Sequence, residues 1–188
     1  FQTGSLFRME QNAAPSFVGR TYANFEVNAA TFNQSVTGST APLTLDNLTI
    51  TDGTLNLNLT GGINLKGNIS VATGETLTFS PASANTLSLN GSSPQTISGA
   101  GTLTFASNTA VSITNAAGVT LARNVTISGS LTVSSAGTFD ANGNGITVSG
   151  TLTNNGTLRQ TLNVNGNTAV DFFNTGNYGG AVLNAAGG

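Results

Sequence analysis

The chain has 188 residues, 38% hydrophobic and 6% aromatic, and its five Lys or Arg against seven Asp or Glu leave a formal net charge of −2. Cations this few and scattered cannot neutralise a nucleic-acid backbone or hold an anionic membrane surface, and no apolar run approaches a membrane-spanning helix. The absence of His and Cys removes the commonest metal ligand, the usual general base and the thiol nucleophile, and it excludes disulfides.

Charged residues are 6% of the chain, with none between Glu75 and Arg123, against roughly 25% in ordinary globular proteins. Disorder pairs low hydrophobicity with high net charge, and the net charge here is small. The expected molecule is folded, a single domain over 1–188, solvated by neutral hydrogen-bonding groups instead of ions.

In chain order, residues 1–32 come first and are rich in aromatics: Phe1, Phe7, Phe17, Phe25 and Phe32, with Arg8, Glu10, Arg20 and Glu26 among them. They are expected to form an N-terminal coil or cap over an open edge, or an interface to a neighbouring domain or second copy. From about Thr40 to Val170 apolar residues alternate with Thr, Ser and Asn, as in Leu43-Thr-Leu45, Leu55-Asn-Leu57-Asn-Leu59 and Leu131-Thr-Val133. Turn signals such as Asp52-Gly53, Gly61-Gly62 and Asn90-Gly91 punctuate the runs, and the period of two makes the chain all-β. A second aromatic group, Phe172, Phe173 and Tyr178, precedes the ending Asn184-Ala-Ala-Gly-Gly188. The Phe1 start and that ending together read as a segment of something longer.

Tight Asn-Gly turns suit hairpins, but the chain also repeats. Asn24-Phe-Glu-Val27, Asn47-Leu-Thr-Ile50 and Asn68-Ile-Ser-Val71 begin 23 and 21 residues apart, and Asn124-Val-Thr-Ile127 follows at a distance that suits two or three coils. Ile63–Val71 also matches Val119–Ile127 over nine positions. The period fits a coil of three short strands and three turns. The prediction is a right-handed parallel β-solenoid (β-helix) of roughly eight coils, a rod about 40 Å long at a strand spacing of about 4.8 Å. Aliphatic side chains should stack inward from coil to coil, and the recurring Asn should sit at a corner with its amide on neighbouring backbone groups.

Chemistry is sparse. Lys66 is the only lysine, and nothing around it suggests the desolvated pocket a Ser-Lys pair would need. Asp46 and Asp52 are the closest acidic pair. If Leu45 aligns with Leu65, Asp46 falls beside Lys66 on the next coil, where a cross-strand ion pair is the simple expectation. Asp140-Ala-Asn142-Gly-Asn144-Gly145 matches the first half of a calcium loop, but Thr151 stands where the bidentate Glu belongs. A turn is the expected role of Asp140–Asn144. Thr49-Ile-Thr51, Thr76-Leu-Thr78, Thr102-Leu-Thr104 and Thr151-Leu-Thr153 could order water if ranked on one face, though their spacings miss coil equivalence unless turns vary in length. No catalytic, cofactor-binding or metal-binding residue is assigned, and no enzyme is expected.

Ser92-Ser-Pro-Gln-Thr-Ile-Ser-Gly-Ala-Gly-Thr-Leu-Thr-Phe105, Asp46-Asn-Leu-Thr-Ile-Thr51 and Gly19-Arg-Thr-Tyr-Ala-Asn-Phe25 resemble low-complexity β-solenoid repeats of very large bacterial surface proteins. They look most like those exported by type IX secretion, and more distantly like autotransporter and filamentous-haemagglutinin-like adhesins. The resemblance implies an extracellular stalk, adhesin or filament on a bacterial surface. Its partners would be further copies of itself, neighbouring domains or surface glycans. The competing expectation is a carbohydrate- or ice-binding module using an outward Thr, Ser and Asn face.

Overall fold

The computed structural model describes residues 2, 4–38 and 40–162, then the backbone of 168–172, 176–179 and 182–183; side chains are described through Arg159. No helix occurs among the described residues. Strand β1 (Leu6–Met9) leads into two long strands, β2 (Thr21–Gly38) and β3 (Leu43–Leu59), each bent around a whole coil. Later coils break at their corners into separate strands: β4 (Ile63–Leu65), β5 (Ile69–Val71) and β6 (Thr76–Phe79), then β7 (Asn85–Leu89), β8 (Gln95–Ser98) and β9 (Thr102–Phe105). Next come β10 (Thr109–Ile113), β11 (Val119–Leu121) and β12 (Val125–Ile127), followed by β13 (Leu131–Val133), β14 (Thr138–Asp140) and β15 (Ile146–Val148). The last parallel strands are β16 (Thr151–Asn154) and β17 (Thr157–Leu162).

Pairing skips along this order, each strand bonding the one a full coil away, always in parallel. Three ladders result. The first sheet runs from the start of β3 through β4, β7, β10 and β13 to β16. The second runs from β1 through β2, β3, β5, β8, β11 and β14 to β17. The third joins the ends of β2 and β3 to β6, β9, β12 and β15. The chain is thus a parallel β-solenoid of about seven turns, against the roughly eight that the repeat spacing predicts. The advance per coil varies, from 18 residues between Phe7 and Phe25 to 28 between Ile69 and Ile97, the longest carrying Pro81 and Pro94 in its corners. On average it keeps to the predicted spacing. The difference arises because the described backbone beyond Leu162 pairs antiparallel and adds no parallel coil.

Alternation places the core. Leu43, Ile63, Leu87, Val111, Leu131 and Leu152 form one buried inner column, and Leu57, Phe79, Phe105, Ile127 and Val148 another. Phe79 and Phe105 stack at 5.2 Å with rings 8° from parallel. Coil stacking delivers equivalent side chains one strand spacing apart, close enough for direct face contact.

At the N-terminal end, β1 covers the second sheet. Asn12 Oδ1 accepts from the Asn33 N–H at 3.1 Å beside the third sheet. Phe17, 1% exposed, packs edge-on against Tyr22 and Phe25, and Phe7 stacks on Phe25. Of the expected N-terminal aromatics, Phe7, Phe17 and Phe25 therefore gather in one cluster with Tyr22, whereas Phe32 is buried separately, beside the third sheet. Phe1, Phe172, Phe173 and Tyr178 lie outside the described side chains. At the other end the backbone reverses: β18 (Thr168–Phe172), β19 (Gly176–Gly179) and β20 (Val182–Leu183) pair antiparallel with β17, β16 and β15.

Asparagines mark a corner as expected. Asn47 Nδ2 donates to Asn24 Oδ1 at 2.7 Å, and Asn47 Oδ1 accepts from the Asn68 N–H at 2.7 Å. Asn68 Oδ1 then accepts from the Thr96 N–H at 2.7 Å. The fourth repeat departs from this ladder. Val125–Ile127 belongs to the third sheet, whereas Phe25, Leu48 and Ile69 stack in the second. Likewise Ile63–Val71 spans the first and second sheets and Val119–Ile127 the second and third. The nine-residue match is a strand–corner–strand unit used at two different edges of the coil.

Candidate binding surface

Among the described residues the fully buried polar side chains are few and each is hydrogen-bonded, while Asn90 Oδ1 is a buried acceptor with no partner. Gln95, 1% exposed, stands in register with Val119. Its Nε2 donates to Leu65 O at 3.0 Å and Gly67 O at 2.6 Å, and its Oε1 accepts from Gly91 N and Asn115 Nδ2, both at 2.9 Å. Asn115 Nδ2 also reaches Ser93 O at 2.7 Å, and Thr109 Oγ1 donates to Phe79 O at 2.9 Å. These side chains close corners and leave no free group to bind a ligand. A small cleft beside Pro81, Asn85 and Thr109 has a volume of about 10 Å³, about one water's worth.

Most carboxylates are also tied to the frame. Glu26 accepts from Thr51 Oγ1 and from Arg8 Nε, each at 2.7 Å, which holds its pKa below the ordinary carboxylate value. Arg8 also lies 3.8 Å from Glu10. Glu75 accepts the Gly53 N–H at 2.5 Å. Burial pushes the Tyr22 phenol up, and its hydroxyl donates to Ser16 O at 2.7 Å. Burial lowers the Arg123 guanidinium, whose Nη1 has no hydrogen-bond partner among the described residues.

Leu45 does pair with Leu65, yet Asp46 and Lys66 form no ion pair, the two described bridges being those of Arg8. Between Leu65 and Ile69 the chain carries one more residue than between Leu45 and Leu48. That extra corner residue leaves Lys66 exposed while Asp46 is half-buried. Asp52 sits at the following corner of the same coil, so the two aspartates face no common cleft. The loop at Asp140–Asn144 is a corner held by its own side chains. Asp140 Oδ1 accepts the Asn142 N–H at 2.7 Å, Asn142 takes φ of 49°, and Asn144 Nδ2 donates to Leu121 O at 3.0 Å and Ala141 O at 3.1 Å. Among the described residues no three His, Cys, Asp or Glu side chains lie together.

The Thr-x-Thr strands separate. Thr49 and Thr51 lie on the second sheet, where Thr51 is spent on Glu26, and Thr151 and Thr153 lie on the first. Thr76 and Thr78 pair residue for residue with Thr102 and Thr104 on the third sheet. Thr54 and Asn56 precede them in register, and Thr126 and Thr147 pair one and two coils further on. Unequal corners bring these residues into line despite their unequal sequence spacings. Comparison with protein-family models, curated proteins and solved structures returns no match.

Proposed function

We propose that the chain is a non-catalytic structural or adhesive module of a bacterial cell surface, serving as a stiff stalk. The carrying observation is the unbroken parallel stack: every coil supplies backbone partners and aliphatic cover to the next along one axis. At about 4.8 Å per turn, the seven described turns give a rod about 34 Å long, which load along the axis would meet as many parallel hydrogen bonds at once. The bonded corners among the described residues favour a mechanical over a catalytic reading. Negative-stain micrographs of the purified chain at rising concentration test it. Rods joined end to end support the stalk, and particles that stay single at every concentration count against it.

A second reading is favoured by one specific observation, the ranked hydroxyl columns of the third sheet. On that reading the module binds an extended neutral surface, carbohydrate or ice, through its outer face. Glycan-array binding or altered ice growth by the single particle supports it.

A further inference from the structure

We infer that the third sheet is a face for crystalline water, and the inference rests on the second reading above. Over six successive strand segments its outward positions hold only Thr, Ser and Asn, apart from Ala106 and Gly145. Thr76 stands beside Thr102, while Thr78, Thr104, Thr126 and Thr147 follow one another in a second column. Parallel strands set the columns' rungs about 4.8 Å apart, and alternate residues along a strand lie about 6.7 Å apart. The prism face of hexagonal ice repeats its oxygen rows at close to these two spacings, so waters held by one hydroxyl row are already placed for the next.

The hydroxyls are free to do this. Thr76, Thr78, Thr102, Thr104 and Thr126 make no side-chain hydrogen bond among the described residues, in contrast to Thr51 and Thr109, which bond Glu26 and the backbone. Each threonine also offers a methyl group beside its hydroxyl, which limits how many ways a bound water can turn. The same face argues against other solids and polymers. It has no aromatic ring on which a sugar could stack and no charged group to hold an ionic mineral or an acidic glycan. The other two sheets are poorer platforms. The second carries Arg8, Glu26 and Asp140, and the outward column of the first mixes Thr44, Asn64, Ser88, Ser112, Thr132 and Thr153, so no more than two threonines stand side by side.

The test uses the whole chain, fluorescently labelled, in an ice-affinity assay with single-crystal growth imaging. Unmodified protein is expected to enter the ice and facet the crystal. Thr104→Lys should abolish both, while Thr132→Lys, on the first sheet, should abolish neither, with circular dichroism melts confirming that both variants fold. Exclusion of unmodified protein from ice overturns the inference, as does a Thr104→Lys variant that still facets crystals. Retention on insoluble cellulose or chitin instead of ice would overturn the water assignment and leave a surface-binding module standing. Retention on neither would overturn the second reading as well.

Discussion

Replacing Gln95 with leucine should destabilise the fold even though leucine matches the aliphatic column it would join. Gln95 sits in line with Val119 and, one coil further, Phe139, all facing inward. Losing the amide does not strand all four partners. Leu65 O still accepts the Asn90 N–H at 3.0 Å, and Asn115 Nδ2 keeps Ser93 O. Gly91 N and Gly67 O lose the bonds described for them. Each orphaned group costs about 1–3 kcal/mol, partly offset by added apolar contact, for a net loss of about 3 kcal/mol. The corner cannot easily relax, because Gly91 lies against the Lys66 carbonyl. For a chain of this size that loss corresponds to a drop in Tm of roughly 6–12 °C. Calorimetry of Gln95→Leu and of the Gln95→Leu/Asn115→Leu pair measures both the loss and its coupling. A single variant that melts at or above the unmodified temperature would refute the claim that this corner is held by its amides.

Other consequences follow from the same geometry. Gly99 and Gly74 both have left-handed φ, +88° and +90°, but a Cβ at Gly99 would overlap the Val71 carbonyl while one at Gly74 meets nothing within 4 Å; urea titration should give about 1 kcal/mol for Gly74→Ala and at least twice that for Gly99→Ala. Asp140→Ala should cost about 1 kcal/mol through the lost cap on the Asn142 N–H, with melts identical in calcium and in chelator. Phe17→Ala should cost about 3–5 kcal/mol, seen as a lowered denaturation midpoint, because it removes the ring seated against Tyr22 and Phe25. Glu26 has its folded pKa lowered by Thr51 and Arg8, so its contribution is present above the ordinary carboxylate pKa and fades as pH falls through the lowered value. Melts from pH 7 to pH 3 should therefore show a shallower acid loss for Glu26→Gln than for the parent, and equal slopes would exclude this carboxylate as a source of the loss.

The architecture was legible because period-two alternation and a recurring corner Asn are local signals. What stayed hidden was phase around the coil. A strand–corner–strand unit looks the same at any of the three edges, so Ile63–Val71 and Val119–Ile127 match while lying one edge apart. The same ambiguity scattered the Thr-x-Thr strands over three sheets. The Asp46–Lys66 expectation failed on a single added residue at a corner, an insertion that strand pattern does not register. The buried polar residues did leave a trace. Gln95 lies two residues from Ile97, Thr109 two from Val111, Asn115 two from Ile113 and Asn154 two from Leu152. Each shares the inward phase of a buried aliphatic at a strand end, so phase, and not polarity, predicts its burial.

Rod and surface readings depend on one cause, since outward residues can be ranked only if the inner columns hold register. A slip by one residue along the strands would turn Phe79 and Phe105 outward and Thr78 and Thr104 inward. A variant that weakens inner stacking, such as Phe105→Ala, should therefore impair rod formation and any surface binding together. A variant confined to the outer hydroxyls, such as Thr104→Lys, should leave rods intact. Phe105 is 1% exposed with Phe79 stacked on it, so its loss should cost about 3–5 kcal/mol, whereas half-exposed Thr104 has no partner to lose. Electron micrographs and ice uptake recorded on both variants separate the two roles. If Phe105→Ala impaired binding while rods persisted, the two readings could not share a single structural cause.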